Sequence, residues 1–338
     1  MQVSEGEIML VWYDACTGKQ VRYGVAIARR LRELGHKVIL TTRKHPDTLP
    51  LANLLGEEFI VVGRYKPESL RTRLKESLKR QLLFLKLFEE ETPDVAVSHR
   101  SVELCRTAFG LGIPIIATHD TVHAEAVNRL TMPLIDFLVV SKAIPRSHLK
   151  EYKVRKQVIQ FDGVDEVAWI KNFTPQTKYD FEKPLIVVRQ FETKAAYAEE
   201  KTDLSETIAR KLTRLGTVVF LPRYERKTRK GLIVPKAFVD SASLVAQADL
   251  FVGAGGTITR EAALQGTPAI VIKIIKKQYT NDYMAKKGFP IFKVRPEQTV
   301  KLAEKLIGKK WNVKELLAKL ENPVEVIKNV IEEKIYGN

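Results

Sequence analysis

Cysteine is scarce in this sequence: the 338 residues include only two, Cys16 and Cys105. Two cysteines so far apart form neither the closely spaced pairs of a zinc site nor the framework of a disulfide-rich secreted fold. No apolar run approaches the ~20 residues that a membrane-spanning helix needs, and the first residues lack the basic and apolar segments of a secretory signal. We therefore expect a cytoplasmic protein.

Several catalytic fingerprints are also missing. The glycines of GAGGTI, residues 253–258, do not have the spacing of the dinucleotide-binding fingerprint, and no Gly-Lys-Ser/Thr triplet marks a nucleoside triphosphatase. Clusters of acidic residues suited to Mg²⁺ are absent as well. The sequence therefore predicts neither a metal site nor a bound cofactor.

Acidic residues are fewer than basic ones: the sequence has 40 Asp and Glu and 56 Lys and Arg, which gives a formal net charge of +16. Such a balance favours an anionic partner, either a nucleic acid, an acidic membrane surface or a phosphorylated small molecule. The segment RYERKTRKG is a basic cluster, but no recognised nucleic-acid-binding module or interleaved aromatic residues accompany it. A basic nucleic-acid-binding protein is therefore kept only as a second alternative. The cluster consists of Arg223, Arg226, Lys227, Arg229 and Lys230.

A second concentration of positive charge lies beside a leucine stripe. Stripes of this kind commonly pack on a core while the charges are solvated, but a basic amphipathic helix also binds anionic membranes. An anionic membrane surface is therefore kept as a partner, with a peripheral location on the inner face of the cell membrane. The stripe consists of Leu70, Leu74, Leu78, Leu82 and Leu85, and the cations beside it are Arg71, Arg73, Lys75, Lys79 and Arg80.

Short apolar segments alternate with longer helical patterns along the chain, which predicts an α/β fold. Most of the short segments are nearly all apolar, as in parallel sheets that are covered on both faces. The alternation restarts after a polar segment that contains Pro175 and Pro184. The predicted strands are Ile8–Trp12, Val38–Thr42, Phe59–Val62, Val95–Ser98, Ile115–Thr118, Phe137–Val140, Leu185–Val188, Val218–Leu221, Leu250–Val252 and Ala269–Ile272.

Length favours two domains, because a single core stops growing at roughly 250–300 residues. We predict two facing, Rossmann-like doubly wound domains with C-terminal helices. The N-terminal domain is predicted over residues 1–172, a hinge over 173–184 and the second domain over 185–322. A last helix, within residues 323–338, is expected to pack back on the first domain.

The most informative stretch is DLFVGAGGTITREAALQGTPAIVI, residues 249–272. It predicts a strand, a glycine turn and a helix that begins at Thr257 or Thr259. Bare backbone at Gly255 and Gly256, together with the positive end of the helix, suits an anion such as a diphosphate.

A carboxylate accompanies this predicted anion site. Glu261 lies in the first turns of the helix, where its oxygens can accept hydrogen bonds from a vicinal diol such as a ribose. An anion site for the phosphates beside a carboxylate for the ribose hydroxyls is what a nucleotide site requires. The alternative on these residues alone is a tight turn, with Glu261 complementing the helix dipole.

The same stretch resembles the donor site of GT-B glycosyltransferases, in particular the N-acetylglucosaminyltransferase that makes the second lipid intermediate of peptidoglycan. In that family a glycine-containing loop, a glutamate and a Gly-x-Pro follow at fixed spacing, and Gly255, Glu261, Gly266 and Pro268 match them. The resemblance implies that Glu261 binds the uridine ribose and that residues 255–257 bind the diphosphate.

Two flanking segments extend the resemblance. KKQYTNDYMAKKG resembles the family's segment with a glutamine and an asparagine facing the donor sugar, matched by Gln278 and Asn281. FVDSASLVAQADL resembles the segment whose backbone reads uracil, which falls on Val239. Arg189, at the carboxyl end of a predicted strand, is a further candidate to stabilise the diphosphate charge.

The first half carries a weaker resemblance, in VWYDACTGKQVRYGVAIARRLRELGHKVILTT. It is similar to the family's first strand, loop and helix, but the family's glycine-rich loop with its histidine is DACTGKQ here and retains only Gly18. The histidine proposed as the base in those relatives therefore has no counterpart. Asp14, Lys19 and Gln20 are the polar groups that this loop offers.

The base must then be sought elsewhere. GIPIIATHDTVHAEAVNRL resembles a family stretch in which a strand ends in a histidine and an acidic residue, matched by His119 and Asp120. Open α/β sheets bind ligands at the carboxyl ends of their strands, which is where these residues are predicted to lie. Asp120 is the first candidate, with His119, His123 and Asp14 beside it and His99 at the end of the preceding strand.

The resemblance covers nearly the whole chain and is closest to a group of prokaryotic proteins of unknown function, predicted to be GT-B transferases and related to nucleotide-sugar 2-epimerases. It implies a metal-independent glycosyltransferase that carries a sugar from a nucleotide, with UDP expected, to a lipid-linked or saccharide acceptor. The alternative is a UDP-N-acetylglucosamine 2-epimerase. The pair Arg260 and Glu261 lies one residue later than the epimerase's paired glutamates, which favours the transferase.

Overall fold

The computed structural model describes residues 8–66, 68–192, 203–274 and 277–335. The chain divides into two compact units, Met1–Trp169 with Glu321–Asn338 and Ile170–Leu320. The segment predicted as a hinge, residues 173–184, belongs to the second unit.

The first unit is built on one parallel sheet. Its strands are β1 (Leu10–Ala15), β2 (Lys37–Lys44), β3 (Ile60–Arg64), β4 (Val95–Ser98), β5 (Ile115–His119), β6 (Phe137–Ser141) and β7 (Gln157–Phe161). Its helices up to the second unit are α1 (Gly18–Glu33), α2 (Thr48–Leu54), α3 (Leu70–Leu87), α4 (Val102–Gly110), α5 (Glu125–Thr131), α6 (Arg146–Lys150) and α7 (Val167–Ile170). Within the described residues the strand order is β3-β2-β1-β4-β5-β6-β7.

The second unit repeats this plan with a smaller sheet. Its strands are β8 (Leu185–Arg189), β9 (Thr217–Leu221), β10 (Leu250–Gly253), β11 (Ala269–Ile272) and β12 (Ile291–Val294). Its helices are α8 (Ser205–Leu212), α9 (Ser241–Gln247), α10 (Thr257–Leu264), α11 (Tyr279–Lys286), α12 (Thr299–Leu306) and α13 (Lys314–Ala318). Across the part of the chain that is described, the order is β12-β11-β10-β8-β9, again all parallel.

After the second unit the chain returns to the first. Helix α14 (Pro323–Val330) contacts α1, and Arg30 Nε on α1 lies 2.8 Å from Glu325 Oε1. Asn322 caps α14 by accepting a hydrogen bond from the Val324 amide at 3.0 Å.

Burial explains why most strands can be predicted and two cannot. All residues of β4 and β5 are buried, as expected for central strands that helices cover on both faces. The two strands absent from the prediction, β7 and β12, lie at sheet edges, and their sequences QVIQF and IFKV include polar residues at partly exposed positions. Their patterns therefore lack a continuous apolar run.

All strands are parallel, but in each sheet the direction in which the chain adds new strands reverses at one position. In the first unit this position lies between β1 and β4, and in the second between β10 and β8. Ligands of open parallel sheets bind outside the carboxyl ends of the strands at such switch points. The loops after β1, β4, β8 and β10 are therefore where a site is expected in each unit.

The described residues include no helix with the length and apolar character needed to cross a membrane.

Candidate functional site

In the second unit, the loop between β10 and α10 lies at the switch point. Gly255 and Gly256 have φ angles of +101° and +100°, which side chains with a Cβ adopt only under strain. A Cβ on Gly255 would lie 2.7 Å from Gln278 Oε1 and 2.8 Å from Asn281 Nδ2, whereas a Cβ on Gly256 meets nothing within 4 Å. The loop thus packs against two amide side chains at Gly255 and is open at Gly256.

The start of α10 favours an anion. Its N-cap is Gly256, so no side chain caps the first amides, and the first N–H groups of a helix have no partner within the helix. Gly256 is exposed, and Gly255 and Thr257 are partly exposed. The loop amides and the positive end of the helix dipole are therefore accessible to a negatively charged group.

Glu261 lies one turn further along α10 and is buried, with 1% of its surface exposed. Ser241 Oγ, at the start of α9, donates to Glu261 Oε2 at 3.0 Å. Val239, two residues before Ser241, is partly buried. Asp240 is buried and caps α9 by accepting a hydrogen bond from the Ser243 amide at 3.3 Å. The carboxylate is therefore next to the segment predicted to read the base.

Gln278 and Asn281 form a short chain of amides behind the glycine loop. Gln278 Nε2 donates to the Ala254 carbonyl at 3.1 Å, and Asn281 Nδ2 donates to Gln278 Oε1 at 2.8 Å. Asn281 is 2% exposed, and among the described residues its Oδ1 has no hydrogen-bond partner. This buried oxygen is an acceptor that a hydroxyl group could satisfy.

Arg189 lies at the carboxyl end of β8, the strand next to β10. Its Cβ is 3.7 Å from the position that a Cβ on Gly253 would occupy. Arg189 Nη1 donates to the Pro222 carbonyl at 2.9 Å, and the side chain is partly exposed. The second unit therefore brings Arg189 to the same sheet edge as the glycine loop.

The first unit holds a cluster of ionisable side chains at its own switch point. Lys19 Nζ, in the first turn of α1, lies 2.5 Å from Asp120 Oδ2, 2.7 Å from Asp165 Oδ2 and 3.5 Å from Glu166 Oε1. These side chains are largely buried: Asp120 is 12% exposed, Asp165 2% and Glu166 1%. Three carboxylates therefore share one ammonium group.

His99 completes the cluster. Its Nδ1 lies 2.7 Å from Thr118 Oγ1, and its Nε2 lies 3.0 Å from Asp120 Oδ1. His99, Asp120 and Asp165 each offer one possible ligand atom, and these three atoms lie within 4.8 Å of one another, close enough to hold a metal ion. The Lys19 ammonium already lies within hydrogen-bond distance of both aspartates, so a metal ion on these ligands would have to displace a cation of the protein.

The other residues predicted near the base have different surroundings. His119 is fully buried, and within the described chain neither ring nitrogen has a hydrogen-bond partner. Burial, followed by the charge of Arg100, lowers the pKa of His119 well below its usual value. His123 is partly buried, and Gly18 is partly exposed at the first position of α1. Asp120 is a predicted residue whose side chain lies in the cluster around Lys19.

Asp14, on β1, is fully buried and bonded to other side chains. Its oxygens lie 2.5 Å and 2.9 Å from the two terminal nitrogens of Arg80, and it also accepts from Ser101 Oγ at 2.5 Å and Thr41 Oγ1 at 2.8 Å. Neither Asp14 nor Arg80 is more than 2% exposed. The grouping of Arg80 with the solvated cations of α3 is therefore wrong, because its side chain points inward to Asp14.

Sequence reasoning missed Asp165 and Glu166. They follow β7, the edge strand that was not predicted, in the segment FDGVDE. Two consecutive acids after a strand would have been the available signal, since strand ends line the ligand crevice.

Comparison with known proteins agrees with this architecture. The model of the family described as "Protein of unknown function (DUF354)" matches residues 9–336, and the chain belongs to this family. The uncharacterized protein MJ0665 of Methanocaldococcus jannaschii is 29% identical over 334 residues, covering 94% of this chain and 96% of that protein.

Solved structures show the same fold. The UDP-GlcNAc 2-epimerase of Methanocaldococcus jannaschii, in complex with UDP-GlcNAc and UDP, superposes with a TM-score of 0.72 at 15% identity, covering 96% of this chain and all of that chain. The glycosyltransferase SsfS6 of Streptomyces sp. SF2575, complexed with thymidine diphosphate, gives a TM-score of 0.57 at 15% identity, with 96% and 99% covered. The chain therefore has the GT-B fold.

Proposed function

We propose that this member of the DUF354 family is a glycosyltransferase that uses a nucleotide sugar, with UDP as the nucleotide, and a lipid-linked or saccharide acceptor. The observation that carries the proposal is the open glycine loop at the start of α10, with buried Glu261 one turn further along the helix. A phosphate site and a carboxylate beside one helix suit the diphosphate and the ribose of one nucleotide.

The diphosphate is assigned to the amides of residues 255–257. Their accessibility, the two positive φ angles and the absence of a capping side chain support this assignment. When the bond to the sugar breaks, negative charge develops on the departing diphosphate, and preorganised N–H groups stabilise such charge. Arg189 is assigned to the same task, so the proposal requires no metal ion for this step.

The sugars of the donor are assigned to neighbouring groups. Glu261, which already accepts from the Ser241 hydroxyl at 3.0 Å, would accept from the ribose hydroxyls. Val239, two residues before Ser241, would present its backbone to the base. Asn281 Oδ1, buried and without a partner in the described chain, would accept from a hydroxyl of the transferred sugar, with Gln278 beside it.

Asp120 is assigned as the base that removes the proton from the acceptor hydroxyl. Among the carboxylates around Lys19 it is the most accessible, at 12% exposed against 2% and 1%. Lys19 Nζ and His99 Nε2 both lie within hydrogen-bond distance of its oxygens, which holds the carboxylate in place. The fully buried His119 and Asp14 are assigned to structure.

A second candidate is a UDP-N-acetylglucosamine 2-epimerase, which would use the same nucleotide site. The crowded cluster of His99, Asp120 and Asp165 around Lys19 favours it, because inversion at one carbon needs a proton removed and a proton returned.

Three measurements test the proposal. A thermal-shift screen across UDP, GDP, TDP and their sugars is expected to raise the melting temperature with UDP ligands, because a ligand that binds only the folded state stabilises it. NMR of UDP-N-acetylglucosamine then separates the activities: free UDP that appears only with an acceptor means transfer, and a sugar inverted at C2 means epimerisation. Full turnover of a folded Asp120→Asn variant would show that the base is another residue.

A cytoplasmic location, peripheral on the inner face of the membrane, is part of the proposal because a lipid-linked acceptor lies there.

A further inference from the structure

Helix α3 presents its leucine stripe to solvent. Leu70, Leu74, Leu78, Leu82 and Leu85 are between 46% and 82% exposed. The buried side of the helix is formed instead by Arg80, which bonds Asp14, and by Phe84. The amphipathic pattern therefore belongs to an apolar face that the described residues of the first unit leave exposed.

A row of cations follows the stripe. Arg71, Lys75 and Lys79 each come one residue after a leucine of the stripe, a rotation of about 100°, and all three are exposed, as is Lys86. The single acid of the helix, Glu76, is tied to Arg64, with both of its oxygens accepting at 3.0 and 3.1 Å. The exposed side of α3 thus combines leucines with positive charge.

The neighbouring edge strand fixes the inner side of the helix. β3 lies at the edge of the sheet and contacts α3, and Arg80 Nε donates to the Val62 carbonyl at 2.8 Å. The leucine stripe and the cation row lie on exposed positions of the same helix. We name the stripe and the cation row the α3 face.

We propose that the α3 face binds the surface of an anionic lipid bilayer. An amphipathic helix of this kind lies in the interface plane with its apolar stripe among the acyl chains and its cations at the headgroups. At 18 residues, α3 is long enough to lie along the surface in this way. The proposal rests on exposure and charge alone and does not depend on the enzymatic activity.

The charge of the face decides between a bilayer and other occupants. A second copy docked through the same face would bring one cation row against another, which is unfavourable. A nucleic acid would neutralise the cations but leave the leucines in water, since its phosphates offer no apolar surface. An anionic bilayer satisfies both features at once.

Vesicle flotation with the full chain tests the proposal. The wild type is expected to float with phosphatidylcholine vesicles that contain phosphatidylserine, and far less with pure phosphatidylcholine. The triple change Lys75→Gln, Lys79→Gln and Lys86→Gln should lower the partition coefficient about 100-fold, at about fivefold per cation. The triple change Leu74→Gln, Leu78→Gln and Leu82→Gln should lower it at least about tenfold, because buried apolar area is lost.

Matched controls use exposed residues of the same unit away from α3. Leu111→Gln with Leu130→Gln, and Lys142→Gln with Lys150→Gln, should float like the wild type. All variants should keep the wild-type melting temperature, because every changed side chain is exposed.

Three outcomes would overturn the proposal. The wild type could fail to float with anionic vesicles at low ionic strength, or the controls could lose as much binding as the α3 variants. The wild type could also be a dimer in size-exclusion chromatography that only the leucine variant dissociates, which would make a second copy the occupant. UDP binding is measured separately in the thermal-shift screen. Failure here therefore removes the peripheral location but not the proposed transferase activity, and a failure of UDP binding does not bear on the α3 face, which flotation still decides.

Discussion

Arg80 Nη2 lies 2.5 Å from Asp14 Oδ1, and both side chains are almost completely buried. The pair joins α3 to β1. Breaking a buried pair by removing one partner leaves an uncompensated charge in a medium that solvates it poorly.

Arg80→Met is therefore expected to lower the free energy of unfolding of the first unit by about 3–5 kcal/mol. The measurement is urea unfolding followed by hydrogen exchange of the β1 amides. Arg129→Met, which removes an exposed partner of Glu125, serves as the control and should change stability little. Equal losses in the two variants would contradict the structural role of the buried pair.

The cluster around Lys19 leads to a second prediction. Lys19→Met leaves Asp120, Asp165 and Glu166 without their shared cation, and we expect a loss of about 3–5 kcal/mol. Lys19→Arg keeps the charge and should recover part of the loss. If Lys19→Met is as stable as the wild type in urea at neutral pH, the carboxylates do not depend on Lys19.

The glycine loop leads to a third prediction. Gly255→Ala combines a φ of +101° with a Cβ 2.7 Å from Gln278 Oε1, so it distorts the loop and should weaken UDP binding at least about tenfold, or 1.4 kcal/mol. Isothermal titration calorimetry provides the affinity.

Gly266→Ala is the control for this loop. Its Cβ would lie 2.0 Å from the Trp311 carbonyl oxygen, and its φ is +77°, so it should lower the melting temperature. It lies at the far end of α10 and should bind UDP with nearly wild-type affinity below that temperature. A reversal of the two phenotypes would place the nucleotide elsewhere.

His119 leads to a prediction about pH. Burial and the charge of Arg100 lower its pKa in the folded protein. Below the unfolded pKa of about 6.5, the unfolded chain therefore binds a proton at this histidine, while the folded chain does not. The stability present above pH ~6.5 should therefore fall, by up to about 1.4 kcal/mol per pH unit, as the pH drops toward the folded pKa. His119→Asn should flatten this slope in urea unfolding between pH ~7 and ~5. An unchanged slope would mean that His119 titrates normally.

The sequence predicts the central strands and the glycine loop for the same physical reason. A strand such as β4, buried on both faces, needs an uninterrupted apolar run, and a turn at positive φ needs glycine. Both requirements are local and can be read from a few consecutive residues.

The cluster of the first unit and the face of α3 could not be predicted in this way. Arg80 looks like a surface cation until Asp14, 66 residues away in sequence, is placed beside it. Asp165 follows an edge strand whose polar pattern does not identify it as a strand. The same helical spacing of leucines suits a core or a surface, and only the position of β3 and α4 around α3 decides which.

The proposed function depends on the binding of a nucleotide diphosphate to the first amides of α10. Titration of UDP into ¹⁵N-labelled protein, followed by amide NMR, tests it most directly. We predict saturable shifts of the Gly255, Gly256 and Thr257 amides, and in Gly255→Ala the shifts of the Gly256 and Thr257 amides should need at least about tenfold more UDP to reach saturation. A titration in which UDP leaves these three amides unmoved, or shifts them only as much as amides far from the loop, would contradict the account.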